Sequence, residues 1–497
     1  MNRYTTKFNL LIFMLLIALF RLITLNLYPL TDNTEARYAE ISRKMLELND
    51  WVTPWSDYAV PFWGKPPLSF WATALSFKLF GVNELAARLP HYLCGLLVIW
   101  LIWQWVAQRS RAQAFYAVVL LSGAFLFFTS SGMVMTDMWL LLGTTLSMRG
   151  FWAAVSAERN AEKWLLFVGL AVGLLAKGPV AVVLAGLPIF LWMVVCNKYS
   201  VVWKSIPWIY GSLLTAAIAL PWYVIAELHT PGYLNYFLIG ENFHRFVTPG
   251  WQGDLYGSAH NFPRGTIWLF MIADWLPWSF LFPALLLWLW RKGKITKSPA
   301  TDRDWLRYLL ICGLTPAIFF SFAGNILWPY VLPGFPGLAL WLSAWFNNQQ
   351  AVDEQSRNKL LFAGLTFTCL ITLLIMFSLP LLGVNDNKSA KSLVALYQSQ
   401  QRSNDEQLVY YGKRPFSASF YSQGKAQQEL DLTTLDRRIA SENIFVAIDS
   451  EKRSDLPAAA LNHLQLVGER GKYQLFHAIN KGPSQSSAQN VELSYNR

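Results

Sequence analysis

The sequence is short of charge. Of its 497 residues only 14% are Asp, Glu, Lys or Arg, against about a quarter in an average soluble domain. Set beside 54% hydrophobic residues, 24 Trp and 33 Phe, that scarcity excludes an ordinary soluble globular protein and points to a polytopic membrane protein. Cysteine is scarce as well. Cys94, Cys196, Cys312 and Cys369 lie singly inside apolar runs, which excludes a disulfide framework or a zinc spacing and reads as four small hydrophobes. No Walker A loop and no G-x-G-x-x-G opening a helix occurs, so the usual nucleotide-binding signatures are missing. No small-residue cleavage site follows the first apolar run, so that run reads as an uncleaved helix behind the basic flank "MNRYTTKFN".

What charge there is carries information by its placement. The net charge is +11, yet the Lys and Arg fall in small clusters between apolar runs. No basic domain is present, so a nucleic-acid partner is not expected. Windows of about 20 apolar residues give spans near 8–28, 91–108, 113–131, 137–155, 163–177, 179–197, 207–226, 266–290, 308–323, 327–346 and 359–383. These amount to about eleven transmembrane helices. With the N-terminus in the cytoplasm, alternate loops carry Arg109 and Arg111, Lys198 and Lys204, or Arg291 to Arg307, while the opposing loops near 132–136 and 324–326 carry no Lys or Arg. That asymmetry is the positive-inside pattern.

This orientation places three pieces outside. The first is the loop 30–90 and the second the loop 227–265, both within a membrane-embedded region spanning 1–383. The third, 384–497, holds the strand-like runs "EQLVYYG", "NIFVAIDS" and "KYQLFHAI" and a helix-like "SDLPAAALNHLQ", and reads as a small α/β domain. Its end, "KGPSQSSAQNVELSYNR", is polar enough to read as disordered. In the first loop, "TEARYAEISRKMLE" spaces Ala36, Ala39, Ile41, Met45 and Leu46 as a helix lying on the membrane surface. "WATALSFKLFG" reads as a second amphipathic helix, reached through the turn "PFWGKPPLSF".

The same loop concentrates charge. Asp32 and Glu35 stand three apart at the membrane boundary, a spacing that suits a capping box and equally suits an acid/base or substrate-binding carboxylate. Asp137 is expected at the outer end of its span, level with Asp32, as a helix cap or as a functional carboxylate. Lys65, Arg245 and Lys177 are cations on the same side. Each could be solvated or snorkelling; together they suit an anionic head group, cations holding a phosphate while a carboxylate takes a proton. His229, His244 and His260 match no metal spacing, and the sequence supports no metal or other cofactor.

The run "TDNTEARYAEISRKMLELNDWVTPWSDYAVPFWGKPPLSFWATALSFKLFGVNELAARLP" resembles the first periplasmic loop of the C-type membrane glycosyltransferases, the aminoarabinose transferase and protein O-mannosyltransferase superfamily. "MTDMW", "AKGP", "PWYVIAELHTPGYLNYFLIGENFHRF" and "NILWPYVLPGFPGLAL" continue the resemblance in order, over about residues 10 to 345. It implies an enzyme of the bacterial inner membrane that takes a sugar from a polyprenyl-phosphate donor on the periplasmic face. The acceptor would be lipid A, another glycan or a protein. It further implies that Asp32 or Glu35 is the catalytic first-loop acid and Asp137 a second, with Lys65 and Arg245 meeting the carrier phosphate and Arg37, Tyr38 and Lys177 nearby. Two positions depart from the family pattern: Thr34 stands where many members have the first Asp of D-E-x-R-Y, and Ile326 and Trp328 replace an expected Lys-Leu-Pro. A carrier or flippase for lipid-linked sugars is the competing expectation, although it usually shows two related halves, and none are visible. A membrane scaffold without activity is a third.

Overall fold

The computed structural model describes residues 3–478 apart from 157–158, 258–259, 295–302, 350–351, 404 and 458–460. The polar tail and part of the run "SDLPAAALNHLQ" thus lie outside the described residues. Contacts between Cα atoms divide the chain into two units, Met1–Tyr28 with Ile41–Ile375, and Pro29–Glu40 with Met376–Arg497. The start of the first loop therefore groups with the C-terminal segment.

The first unit is helical, and its apolar helices make the chain a multi-pass membrane protein. Among the described residues, Glu84–Val106, Trp208–His229 and Glu354–Leu381 are each long and apolar enough to cross a bilayer. Thr266–Asp274 and Trp278–Arg291 would form a fourth span, bent by 84° at the break between them. Some other runs read as single spans are broken. The run 113–131, for example, is two helices, Arg111–Ser122 and Phe125–Ser130, separated at Gly123.

One helix pair sets the position of two predicted site residues. Asp137–Ser156 and Leu165–Lys177 run back to back, and their backbones nearly touch. A Cβ added at Gly169 would lie 2.4 Å from the Gly143 carbonyl oxygen, and one at Gly143 would lie 2.7 Å from that of Gly169. Small residues are what permit such an approach between membrane helices. Because the pair forms a hairpin, the first residue of one helix and the last of the other come to the same end. Those residues are Asp137 and Lys177.

In the first loop, helix Glu35–Glu47 forms as its spacing predicts, with Ala36, Ala39, Ile41 and Met45 buried. It differs from the expectation of a one-sided surface helix, because Glu35, Glu40, Arg43 and Lys44 are buried too. Two of these charges are visibly paired: Arg43 bonds Glu47 at 2.8 Å, and Lys44 Nζ reaches Ser56 O and Asp57 in the small hairpin of β1 (Trp55–Asp57) and β2 (Val60–Pro61). Helix Leu68–Phe80 also forms, but it is apolar all round rather than amphipathic, with Phe70 and Phe77 buried and Leu75, Leu79 and Phe80 exposed.

The second unit is built on a five-stranded sheet: β3 (Gln407–Tyr411), β4 (Gln427–Glu429), β5 (Ile444–Asp449), β6 (Leu464–Arg470) and β7 (Tyr473–Ala478), in the order β4-β3-β5-β7-β6. β3 pairs in parallel with β4 and β5, while β7 runs antiparallel to β5 and β6. Alternate residues feed two cores. Leu408, Tyr410 and Phe445 face helix Lys391–Gln400 through Val394 and Tyr397, while Val409, Val446 and Phe476 meet Leu435 and Ile439 of helix Leu432–Ser441. The three strands read from the sequence are β3, β5 and β7, the ones buried on both faces. The helix read at "SDLPAAALNHLQ" is corrected at its end, where Leu464 and Gln465 begin the edge strand β6.

Candidate functional site

In the first unit four of the predicted residues converge. The turn carrying Lys65 is fastened to the segment 227–265: Trp63 N–H donates to Tyr256 Oη at 3.0 Å, Tyr256 Oη donates to Pro61 O at 2.8 Å, and Trp63 Nε1–H donates to Thr230 at 3.1 Å. That brings Lys65 Nζ to within 2.5 Å of Glu241 Oε1. Glu241 lies on a widened, π-type helical turn, Asn235–His244, and Arg245 follows it by four residues. Arg245 Nη1 bonds both Glu241 oxygens, at 2.8 and 3.0 Å, and stands 3.3 Å from Asp254. Asn325 fixes the backbone here, its Nδ2 donating to Arg245 O at 2.6 Å and Thr248 O at 2.9 Å.

The helix hairpin delivers the other pair. Lys177 Nζ is 2.5 Å from Asp137 Oδ1, with both side chains largely buried, and lies 4.4 Å from the centre of the Tyr330 ring. Gly178 ends the helix at φ +84°, and a Cβ there would press to 2.4 Å from the Phe237 ring, on the same turn as Glu241. Tyr330 joins the two groups, since the charges of Arg245, Lys65, Glu241 and Asp137 all act on its hydroxyl. Asp137 opens its helix and is ion-paired.

The electrostatics are those of a compensated cluster. Burial works against a charged Glu241, but Lys65 and Arg245 override it and hold its carboxyl below the usual range. Burial likewise opposes the Arg245 charge, and Glu241 restores it, keeping the guanidinium firmly protonated. Arg245 spends only Nη1 on these carboxylates; its buried Nε has no partner among the described residues. Such a set can present N–H donors to an oxyanion while a carboxylate stands close by.

The remaining predicted residues, Asp32, Glu35, Arg37 and Tyr38, belong to the second unit. Asp32 is not the helix cap that its spacing suggests. Its Oδ1 accepts from Ser417 N–H at 3.0 Å and its Oδ2 accepts from Ser417 Oγ, and burial lifts its pKa despite these bonds. It lines a cavity of about 180 Å³ with Asp386, Lys388, Lys413, Arg470 and Lys472. Arg37 lies over the rings of Tyr38 and Phe416, and Glu35 is buried. Among the described residues no group of three His, Cys, Asp or Glu is arranged to hold a metal.

Residues 4–237 match the family profile described as dolichyl-phosphate-mannose-protein mannosyltransferase. An undecaprenyl phosphate-alpha-4-amino-4-deoxy-L-arabinose arabinosyl transferase of Erwinia tasmaniensis is 32% identical over 344 residues, 67% of this chain and 58% of that protein. A protein of the same name from Proteus mirabilis is 30% identical over 366 residues, 71% of this chain and 62% of that one. The crystal structure of ArnT from Cupriavidus metallidurans bound to undecaprenyl phosphate shares the fold, with a TM-score of 0.75, 18% identity, and coverage of 95% of this chain and 99% of that one. The chain is thus similar to the aminoarabinose transferases over about two thirds of its length and to the mannosyltransferase family over residues 4–237. It spans about three fifths of the length of the two curated relatives.

Two residues of this cluster, Glu241 and Tyr330, escaped sequence reasoning. Glu241 had a signal, since "ENFHR" spaces a carboxylate and an Arg four apart on a helix. Tyr330 had none, being one of 20 tyrosines and uncharged.

Proposed function

We propose that this chain is a membrane glycosyltransferase that moves a sugar from a polyprenyl-phosphate carrier to an envelope acceptor, lipid A or another glycan or protein, at the periplasmic face of a bacterial inner membrane. The observation that carries this reading is the convergence of Lys65, Arg245, Lys177 and Asp137 around Tyr330. The names of the matched family and relatives support it: they differ in sugar but share a sugar linked to a polyprenyl phosphate.

In the mechanism, Lys65 Nζ and the unpartnered Arg245 Nε donate to the carrier phosphate and stabilise the charge that grows on it as the glycosidic bond breaks. The acceptor oxygen attacks the anomeric carbon while Asp137, oriented by Lys177, takes or orients its proton. Asp32 or Glu35, beside Arg37 and Tyr38, is the first-loop carboxylate of the scheme. One displacement inverts the anomeric configuration. The wider frame of the proposal is a membrane-embedded region spanning 1–383 with about eleven spans, its N-terminus cytoplasmic, and a periplasmic domain 384–497.

The test is reconstitution with a radiolabelled polyprenyl-phosphate sugar and extracted envelope acceptors, using wild type, Asp32→Asn, Glu35→Gln and Asp137→Asn. Label should reach the acceptor and fall with Asp137→Asn. Transfer undiminished by all three substitutions would defeat the carboxylate assignment. Translocation of the carrier without transfer would replace the reading by that of a flippase.

A further inference from the structure

The carrier site holds a carboxylate that a phosphate-binding site does not need. Glu241, 6% exposed on its side chain, is clamped by Lys65 and Arg245, the two cations assigned above to the carrier phosphate. Buried charges stay charged only when paired, so Glu241 accounts for part of how the two cations are tolerated. An apolar or neutral surrounding with one cation fewer would have served that purpose as well. The sequence spends two cations and then sets two carboxylates against them, Glu241 on both and Asp254 3.3 Å from Arg245.

Substrate chemistry gives the cancellation a use. The donor is a phosphodiester with one negative charge. The product carrier is a phosphomonoester, which near neutral pH carries between one and two, its second ionisation falling near pH 6. A site with two uncompensated cations at contact distance would hold the product more tightly than the donor, because each extra unit of charge in a poorly screened site shifts binding strongly. Product release would then limit turnover.

We propose that Glu241 is a positioning residue that, together with Asp254, lowers the charge the Lys65–Arg245 pair presents, favouring the singly charged donor over the more highly charged product so that the spent carrier leaves. The inference rests on the carrier reading given above and goes beyond it, since it assigns Glu241 a part in donor-over-product selectivity. Glu241 acts through the two cations rather than on the reacting atoms. It is well built for this: it reaches Lys65 from a helix in the other outer loop and Arg245 from one turn away, so it sets both at once.

The experiment measures binding of undecaprenyl phosphate and of its methyl ester, a diester that stands for the donor, to the full chain in detergent. Wild type, Glu241→Gln and Glu241→Asp are compared, with thermal unfolding as a control for folding. For Glu241→Gln the account expects undecaprenyl phosphate to bind about ten-fold tighter or more, with a smaller gain for the methyl ester. Glu241→Asp, which keeps the charge, should return the ratio of the two affinities to that of wild type. Equal weakening of both ligands in Glu241→Gln would make Glu241 a purely structural residue and overturn the inference, as would an unchanged ratio, while leaving the carrier site standing. Failure of the wild-type chain to bind either ligand would remove the carrier reading itself, and this inference with it.

Discussion

Removing Lys177 from its ion pair should be far more damaging than removing the pair. Lys177 and Asp137 are 11% and 8% exposed and 2.5 Å apart, so the pair is largely withdrawn from water. Lys177→Met leaves a buried carboxylate without its cation, and breaking a buried pair from one side typically costs about 3–5 kcal/mol. Replacing both partners by neutral groups of similar size avoids the stranded charge, and such exchanges are often neutral or even stabilising. The double variant Asp137→Asn, Lys177→Met should therefore recover most of what Lys177→Met loses, and its cost should fall well below the sum of the two singles. In a helical unit of this size a loss of ~4 kcal/mol lowers the unfolding midpoint by roughly 5 °C. The assay is thermal unfolding in one detergent, followed by near-ultraviolet circular dichroism, for wild type, both single variants and the double. Activity should not recover with stability, because the double variant lacks the Asp137 carboxylate. A double variant as unstable as the sum of the singles would refute the reasoning and show that the two side chains contribute independently.

Other outcomes follow from the same structure. Lys65→Met deletes one charged donor to the carrier phosphate, worth about 1.5–3 kcal/mol, so the apparent donor affinity should fall by roughly 10- to 150-fold, read from the concentration dependence of transfer. Gly169→Ala drives a methyl to within 2.4 Å of the Gly143 carbonyl oxygen; the overpacking should cost about 1–3 kcal/mol and lower transfer by spreading the hairpin ends, whereas the exposed Gly186, with open space around it, should accept Ala without loss in the same two assays. Burial holds Asp32 above its unfolded pKa, so the folded chain keeps a proton that the unfolded chain has already released. The stability this group contributes is then fullest at acid pH and declines as pH rises from about 3.9 through the raised folded value. The melting-temperature advantage of wild type over Asp32→Asn should shrink as pH is raised across that window; a constant difference would contradict it.

How much of this was legible in the sequence varies with the physical signal behind each element. Strands β3, β5 and β7 announce themselves as continuous apolar runs because both their faces are covered. β6 is an edge strand with mostly exposed residues, and β4 has three residues, so neither leaves a pattern. The number of membrane crossings was read from hydropathy, which measures apolarity and not continuity. Breaks at Gly123 and between Asp274 and Trp278 divide runs that look whole.

At the site, Lys65, Asp137, Lys177 and Arg245 stood out because charge is conspicuous in an apolar chain, and the structure brings those four together. What the sequence did not show was their pairing. Lys65 and Glu241 are 176 residues apart, and the contact depends on Trp63 and Tyr256 joining two loops. Asp32 was singled out for the same reason as the others, yet its oxygens are engaged by Ser417, 385 residues away, a bond that no local spacing could suggest.

The most direct test of the central claim is the anomeric configuration of the sugar after a single turnover. The purified chain in proteoliposomes is mixed in excess with a carbon-13-labelled polyprenyl-phosphate sugar and an envelope glycolipid acceptor, and the product is read by nuclear magnetic resonance. The account predicts the labelled sugar on the acceptor with its configuration inverted relative to the donor. Retained configuration, or a donor left intact after it has bound, would contradict it.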